Sequence, residues 1–394
     1  MGARLKKSDL KRNHYRRLSW YLWILPALAA FLAQHLLAGY PALVEQYHAR
    51  GLFRWLSVPI SWLTSLAPFS LTEAILLLGV PAVLILFVIW LVRLFRRPGK
   101  MARLARLMRG LAWTLSIAYL LFMLLHGLNY ARLPVAESFG LPARERTADD
   151  LAETAAWLAK QTTILRARTQ ENGQGVFQLR SGVAETLKTA ADGYAAASAE
   201  YPLLAGIHLQ PKGVLLSHYW SYTGITGMYI PLLVESNINI DVPEYSMPET
   251  VLHEIAHTRG FAREDEAGFI AFLAGLAHPD ADFAYSVLLD ATIRCLNALY
   301  NADQDAYKAT AALLDDAVWR DISAGNAYWK QFEGPVQEAS TQVNNAYLQA
   351  NLQQDGVRSY GRMIDLVLAW HEQQTGRGTL DASIACLASD KAGD

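Results

Sequence analysis

His253-Glu254-Ile255-Ala256-His257 sets two imidazoles four residues apart with a carboxylate between them. Residues four apart share a helix face, so both rings can reach one ion while Glu254 lies beside a water that the ion would polarise. The pattern carries weight only on a helix, and its flanks supply the signals of one. Ser246-Met247-Pro248-Glu249 reads as a capping box: the Ser246 hydroxyl serves the first turn, Glu249 reaches back, and Pro248 stands where no amide is needed. Val251, Leu252, Ile255 and Ala256 are apolar at helical spacing, which predicts a buried helix, and Gly260 can turn left-handed to end it.

Hydrolytic zinc sites take three protein ligands and keep a fourth position for water. His253 and His257 supply two. The third is sought in Phe261-Ala262-Arg263-Glu264-Asp265-Glu266-Ala267-Gly268, the acidic start of a second helix, where negative charge also suits the dipole. Glu264 is the first choice because it stands three residues before Ala267, the ExxA spacing of several glutamate-type zinc peptidases, and Glu266 is the alternative. An acidic helix start that binds no metal is the competing account. With Zn2+ in place, a water of lowered pKa attacks a polarised peptide carbonyl and Glu254 acts as general base, passing the proton to the leaving amine. Candidates for the oxyanion donor are His218, Tyr222, Tyr229, Tyr360 and Arg362, each of which also reads as a packed or surface residue.

The 394 residues are 52% hydrophobic, unevenly spread. Uncharged apolar runs from Leu18 to Leu37, Ala74 to Val92 and Leu111 to Asn129 approach the ~20 residues a helix needs to cross hydrocarbon, and predict spans over about 18–37, 74–95 and 110–130. The small-residue pattern Ala27-Leu28-Ala29 lies inside the first run rather than after it, which favours an uncleaved anchor over a signal peptide. Arg4, Lys6, Lys7, Lys11, Arg12, Arg16 and Arg17 precede the first run, and Arg93, Arg96, Arg97, Lys100, Arg103, Arg106 and Arg109 separate the second from the third. Between the first two runs stand only Arg50 and Arg54. The positive-inside rule then predicts a multi-pass protein of the cell (inner or plasma) membrane with a cytoplasmic N-terminus. Residues 1–131 form the anchor and 132–394 an extracytoplasmic domain.

Charge divides the same way. Residues 1–131 hold 16 Lys and Arg against Asp9, Glu45 and Glu73, while the rest holds 19 basic and 33 acidic groups, so the formal charge of -1 is a cancellation. An acidic domain argues against nucleic acid as a partner, and the basic segments suit anionic lipid headgroups of the bilayer. Cys295 and Cys386 are the only cysteines and form no zinc or redox pattern; a buried or free thiol is favoured over a bridge.

Tyr40 to Ser70 mixes Trp, Leu, Ile and Pro with few charges, as expected of short amphipathic helices in the outer interface or of a connector packed on the domain. Ala148 to Lys160 and Ala184 to Glu200 have helical composition, as has the stretch from Ala262 to about Gln374. Val214-Leu215-Leu216, Tyr229 to Val234 and Ile238-Asn239-Ile240 read as short strands of a small sheet, with Pro231 suited to an edge.

Several motifs in order carry a resemblance to a family. They are Leu128-Asn129-Tyr130-Ala131-Arg132, Ser221 to Tyr229 with Glu235-Ser236-Asn237-Ile238-Asn239, His253 to Gly268, and Asp355 to Arg362. Through them the chain resembles, over nearly its whole length, the domain-of-unknown-function 3810 family of bacterial membrane proteins. The resemblance implies a zinc peptidase group without an assigned substrate. Gly268 departs from the family's usual Asn, which bears on a contact behind the ligands rather than on the ligands. The expected architecture is mainly α: three transmembrane helices, then a mostly helical, zincin-like (gluzincin-type) α+β domain with a small sheet. The expected activity is peptide-bond hydrolysis of a peptide or protein substrate. The rivals are a non-catalytic receptor or envelope assembly factor stabilised by zinc, and a hydrolase of a non-peptide amide.

Overall fold

The computed structural model describes residues 21–206, 209–384 and 386. The basic residues from Arg4 to Arg17 and the start of the first apolar run, Leu18 to Trp20, lie outside the described residues. The chain is mainly helical with two small sheets. The longer helices of its N-terminal part, among the described residues, are α1 (Ile24–Leu37), α2 (Phe53–Ser65), α3 (Leu71–Arg96) and α4 (Lys100–Leu125). α3 and α4 are long and apolar enough to cross a membrane, and the bent pair Ile24–Leu37 and Pro41–Ser65 makes a third candidate with a turn of 119° between its halves.

α4 starts ten residues before the predicted third span and ends five residues before its end. Lys and Arg are good helix formers, so Lys100, Arg103, Arg106 and Arg109 extend the helix instead of forming a connection. The chain then tightens into a 3-10 turn over Gly127–Ala131. α2 has its faces reversed relative to a water-soluble helix. Phe53, Ser57, Ser61 and Thr64 are buried against the protein, while Trp55, Val58, Trp62, Leu63 and Leu66 point outward. The face with Phe53 and the small polar residues packs on the domain, as expected of a connector, and the apolar face is exposed.

In the C-terminal part, α5 (Ala148–Arg166) is followed by a two-residue hairpin, β1 (Gln170–Glu171) and β2 (Phe177–Gln178), then α6 (Gly182–Ala197). A three-stranded sheet comes next, made of β3 (Lys212–Val214), β4 (Gly227–Ile230) and β5 (Glu235–Asn239) in the order β3-β5-β4, with β3 parallel and β4 antiparallel to β5. Leu215 and Leu216 fall in a turn instead of a strand, and β4 stops before Pro231, which has no amide to give the ladder. The remaining helices are α7 (Met247–Thr258), α8 (Glu264–Ala277), α9 (Ala281–Ala302), α10 (Gln304–Ala311), α11 (Asp316–Lys330), α12 (Pro335–Ala350) and α13 (Met363–Arg377). α8 is the central one. Every residue from Glu266 to Leu276 is buried, against α6, α7, α9 and α13. Cys295 and Cys386 are both buried and no disulfide joins them.

Two buried ionic clusters join the two parts. Arg132 makes a two-pronged pair with Glu45 at 2.8 and 2.9 Å, donates to the Gly260 carbonyl at 2.9 Å, and stacks 4.1 Å from the Phe261 ring centroid. At the other junction the Glu235 carboxylate of β5 caps α3, accepting from the amides of Leu71 and Thr72, the Thr72 and Ser70 hydroxyls, and Lys212 Nζ at 3.0 Å. Glu73 of α3 reciprocates by accepting from the amides of Leu215 and Leu216.

Removing one partner of a buried pair leaves an uncompensated charge, so Arg132→Met should cost about 3–5 kcal/mol of stability, and Arg132→Met with Glu45→Gln clearly less. Chemical denaturation in detergent measures both, and equal losses would show that the pair is not formed. Burial pushes the Glu235 carboxyl up, but the Thr72 amide and Lys212 outweigh it and hold the group below the usual carboxylate range. A depressed folded value means stabilisation that is present above the ordinary carboxylate pKa and lost as pH falls below it. Wild type should therefore lose stability on acidification below about pH 4.5, whereas Glu235→Gln, weaker at neutral pH, should show a flatter profile. Parallel pH profiles would remove Glu235 as the cause.

Candidate metal centre

α7 carries the HExxH residues and is buried along most of its length. Its start falls where the sequence puts it, but the capping box does not form. A 3-10 turn over Glu244–Ser246 leads into the helix and directs the Ser246 hydroxyl back to the Pro243 carbonyl at 2.8 Å, while the Glu249 amide is served by Ser286. The other end closes as a Schellman motif. Gly260 adopts φ +85°, its amide donates to the His257 carbonyl, and the Phe261 amide reaches the Ala256 carbonyl. This turn swings the Phe261 carbonyl to 2.7 Å from His257 Nδ1. Nδ1–H donates there, leaving Nε2 with its lone pair turned to the site.

Three candidate ligands meet. Glu264, at the first turn of α8, brings Oε2 to 3.0 Å from His253 Nε2 and 3.6 Å from His257 Nε2. One ligand atom from each of His253, His257 and Glu264 lies within 4.8 Å of the others, a spacing able to hold one metal ion. Glu266 is directed elsewhere: Oε1 accepts from the Val135 amide at 2.9 Å and from Arg263 at 2.6 Å. Behind the other imidazole, Glu249 Oε1 stands 4.0 Å from His253 Nδ1. Burial first, and Asp290 next, push Glu249 up to about 7. Burial also disfavours charge on His253, but the Glu264 carboxylate prevails and lifts it to about 9; the same partnership with both histidines holds Glu264 well below the carboxylate range.

Glu254 faces the same space from α7. Its main-chain carbonyl accepts from Ser236 Oγ of β5 at 2.9 Å, which pins the helix to the sheet. The Tyr229 amide of β4 serves the carboxylate, yet Oε2 is buried without a partner among the described residues, and burial raises the group's pKa. Gly227 permits this closeness. A Cβ there would lie 2.6 Å from Glu254 Oε1 and 2.7 Å from its Cγ.

A cavity of about 680 Å³ opens at the centre, and His253, Glu254, His257 and Glu264 form one wall. Among the described residues β4 is an edge strand, paired only on its β5 side, and Gly227, Met228 and Tyr229 border the cavity. Of the oxyanion candidates, Tyr229 lies here, its ring stacked 6.1 Å from that of His257. His218 instead pairs with Asp241 at 2.7 Å, Tyr222 packs edge-on against Phe332, and Arg362 pairs with Asp355 and Asp265. These three do not line the cavity, because each is held at the surface by a neighbour of its own. The Tyr360 side chain lies outside the described residues. Sequence reasoning missed Phe122 and His126, at the end of α4, and Tyr347 of α12, all of which line the cavity. His126 lies within an apolar run, and only tertiary structure brings its ring to 5.9 Å from that of His257.

The family model described as "Protein of unknown function (DUF3810)" matches residues 48–368, most of the chain, and the chain belongs to that family. No curated protein and no solved structure matches it.

The contact between Gly227 and Glu254 can be measured without an assay of activity. Gly227→Ala should cost about 1–3 kcal/mol by overpacking. In a Glu254→Ala background most of that cost should vanish, giving a coupling of about 1 kcal/mol or more in a double-mutant cycle of thermal unfolding. Additive losses would mean that the strand does not press on this carboxylate.

Proposed function

Starting from a family without an assigned activity, we propose that this chain is a membrane-anchored, zinc-dependent metallopeptidase with a zincin-like C-terminal domain. The observation that supports the reading is the convergence of His253, His257 and Glu264 on the wall of an open cavity, beside the buried carboxylate of Glu254. Two imidazoles and one carboxylate are a donor set suited to Zn2+ with an open position, and the His257–Phe261 hydrogen bond fits a ligand nitrogen held in one tautomer. When bound, the ion would supply an activated water and polarise the scissile carbonyl.

The chain's own residues supply the rest. Glu254, with one oxygen unpartnered and its proton affinity raised by burial, takes a proton and returns it to the leaving amine. The edge of β4 aligns an extended peptide by main-chain hydrogen bonds, and Gly227 keeps that edge close to Glu254. Tyr229 OH and His126 Nδ1 are buried without partners among the described residues and both side chains line the cavity, so they are the groups available to a developing oxyanion. The distribution of Lys and Arg supports an extracytoplasmic position for the domain, outside the cell's inner or plasma membrane.

Elemental analysis of purified protein should find zinc in wild type and its loss in His253→Ala and His257→Ala. Glu254→Gln should keep the metal while peptide turnover falls about 10²–10⁴-fold. Metal-free wild type, or full zinc in the histidine variants, would remove the site, and proteolysis that persists in Glu254→Gln would remove the assigned base.

A further inference from the structure

The cavity begins where a candidate membrane span ends. Phe122 sits in the last turn of α4, yet it lines the same space as His253, Glu254 and His257. Ring-centroid steps of 5.8 Å from Phe122 to His126 and 5.9 Å from His126 to His257 connect the helix end to a candidate ligand. At ~3.3 Å per extended residue, that path equals about four residues of substrate. The facing wall is α12, whose Tyr347 meets Phe122 edge-on at 6.2 Å and whose Val343, 71% exposed, leaves an apolar residue at the rim.

α2 gives an independent indication of where the bilayer surface lies. Its outward face carries Trp55 at 74% exposure and Trp62 at 65%, with Val58, Leu63 and Leu66 around them, and its inward face is Phe53 followed by Ser57, Ser61 and Thr64. A helix buried on its polar side and apolar on its open side has a lipid interface as its natural neighbour, and Trp is the residue favoured at headgroup depth. The turn of 119° from α1 lays this segment near the membrane plane if α1 stands near the normal. α3 likewise leaves the apolar side chains of its membrane-length stretch unburied. α2 also grips the domain, through Arg54 to the carbonyls of Leu203 and Ala205 and through Lys212 Nζ to the Thr64 carbonyl at 2.7 Å. The domain, and the cavity with it, is therefore held down on the interface.

We propose that the polypeptides handled by this site are themselves anchored in the same membrane, by an apolar segment or a lipid, and are cut within about ten residues of that anchor, ~33 Å at full extension. The inference rests on the peptidase reading and adds a substrate class to it. Anchoring confines enzyme and substrate to one surface and raises their effective concentration, and a mouth at the interface favours bonds close to the bilayer.

The test uses the full chain, zinc-loaded, in lipid nanodiscs. Its probe is a 40-residue randomised-sequence peptide library offered either free or attached at one end to a dialkyl lipid, with the Glu254→Gln background subtracted. The anchored library should be cut at least tenfold faster than the free one, with the cuts mapped by mass spectrometry clustering within about ten residues of the lipid. Equal rates, or cuts lying mainly beyond twenty residues, overturn this inference and leave the peptidase reading standing. No Glu254-dependent cleavage of either library by metal-loaded protein overturns both.

Discussion

A buried guanidinium is expensive to desolvate, and Arg132 is buried where the chain leaves α4 and its 3-10 turn for the C-terminal part. Its charge is met on three sides, by the Glu45 carboxylate, the Gly260 carbonyl and the face of Phe261. Gly260 and Phe261 are the residues that close the HExxH helix. Arg263 adds to the knot by donating to the carbonyls of Tyr130 and Arg132 while binding Glu266, which in turn holds the Val135 amide. The loop between the two candidate ligand helices is thus fastened to the end of the anchor, and the placement of Glu264 against the histidines depends on that fastening.

The same loop sets the chemistry of one imidazole. A left-handed residue is needed at the end of α7 for the chain to turn back, and there a Cβ would also meet the Phe53 ring at 2.9 Å. With glycine in place the Phe261 carbonyl reaches His257 Nδ1, and Nε2 is left facing Glu264. Around this point Glu249, Glu254 and Glu264 share one buried space, lined also by His253, His257 and Arg294. Carboxylates gathered in low dielectric raise one another's pKa unless a cation joins them. Burial first, joined at Glu249 by Asp290, raises the pKa of Glu249 and Glu254, and a divalent ion held between Glu264 and the histidines, as proposed, would set a positive charge beside them.

What could be read from the sequence was whatever is written locally. The HExxH helix, its glycine stop, the apolar runs and the presence of a small sheet before the motif, though not the bounds of its strands, follow from spacing and residue type over a few turns. The capping box at Ser246 failed because the preceding residues fold into their own 3-10 turn and capture the hydroxyl; a true capping box forms at Thr147 and Asp150, ahead of α5. Glu264 and Glu266 could not be separated by pattern. Two residues apart on a helix, they point about 200° apart, and only packing decides which face meets α7. Phe122, His126 and Tyr347 reach the cavity through tertiary contacts between segments more than a hundred residues apart, for which no local signal exists.

The N-terminal helices accordingly also brace the sheet. Glu235 of β5 caps α3, Glu73 of α3 caps the turn after β3, and β5 is the strand that holds β4 beside Glu254. Ser70 and Thr72 also hydrogen-bond the Asn237 side chain in the middle of β5. A sheet of three short strands has little apolar area of its own to keep its register. Here the missing restraint comes from the first turn of α3, a candidate membrane span, so the geometry of β4 and Glu254 is coupled to the placement of that helix. Excision of residues 132–394 as a separate fragment therefore removes partners of β5, of the loop at Gly260 and of the cavity wall at Phe122 together.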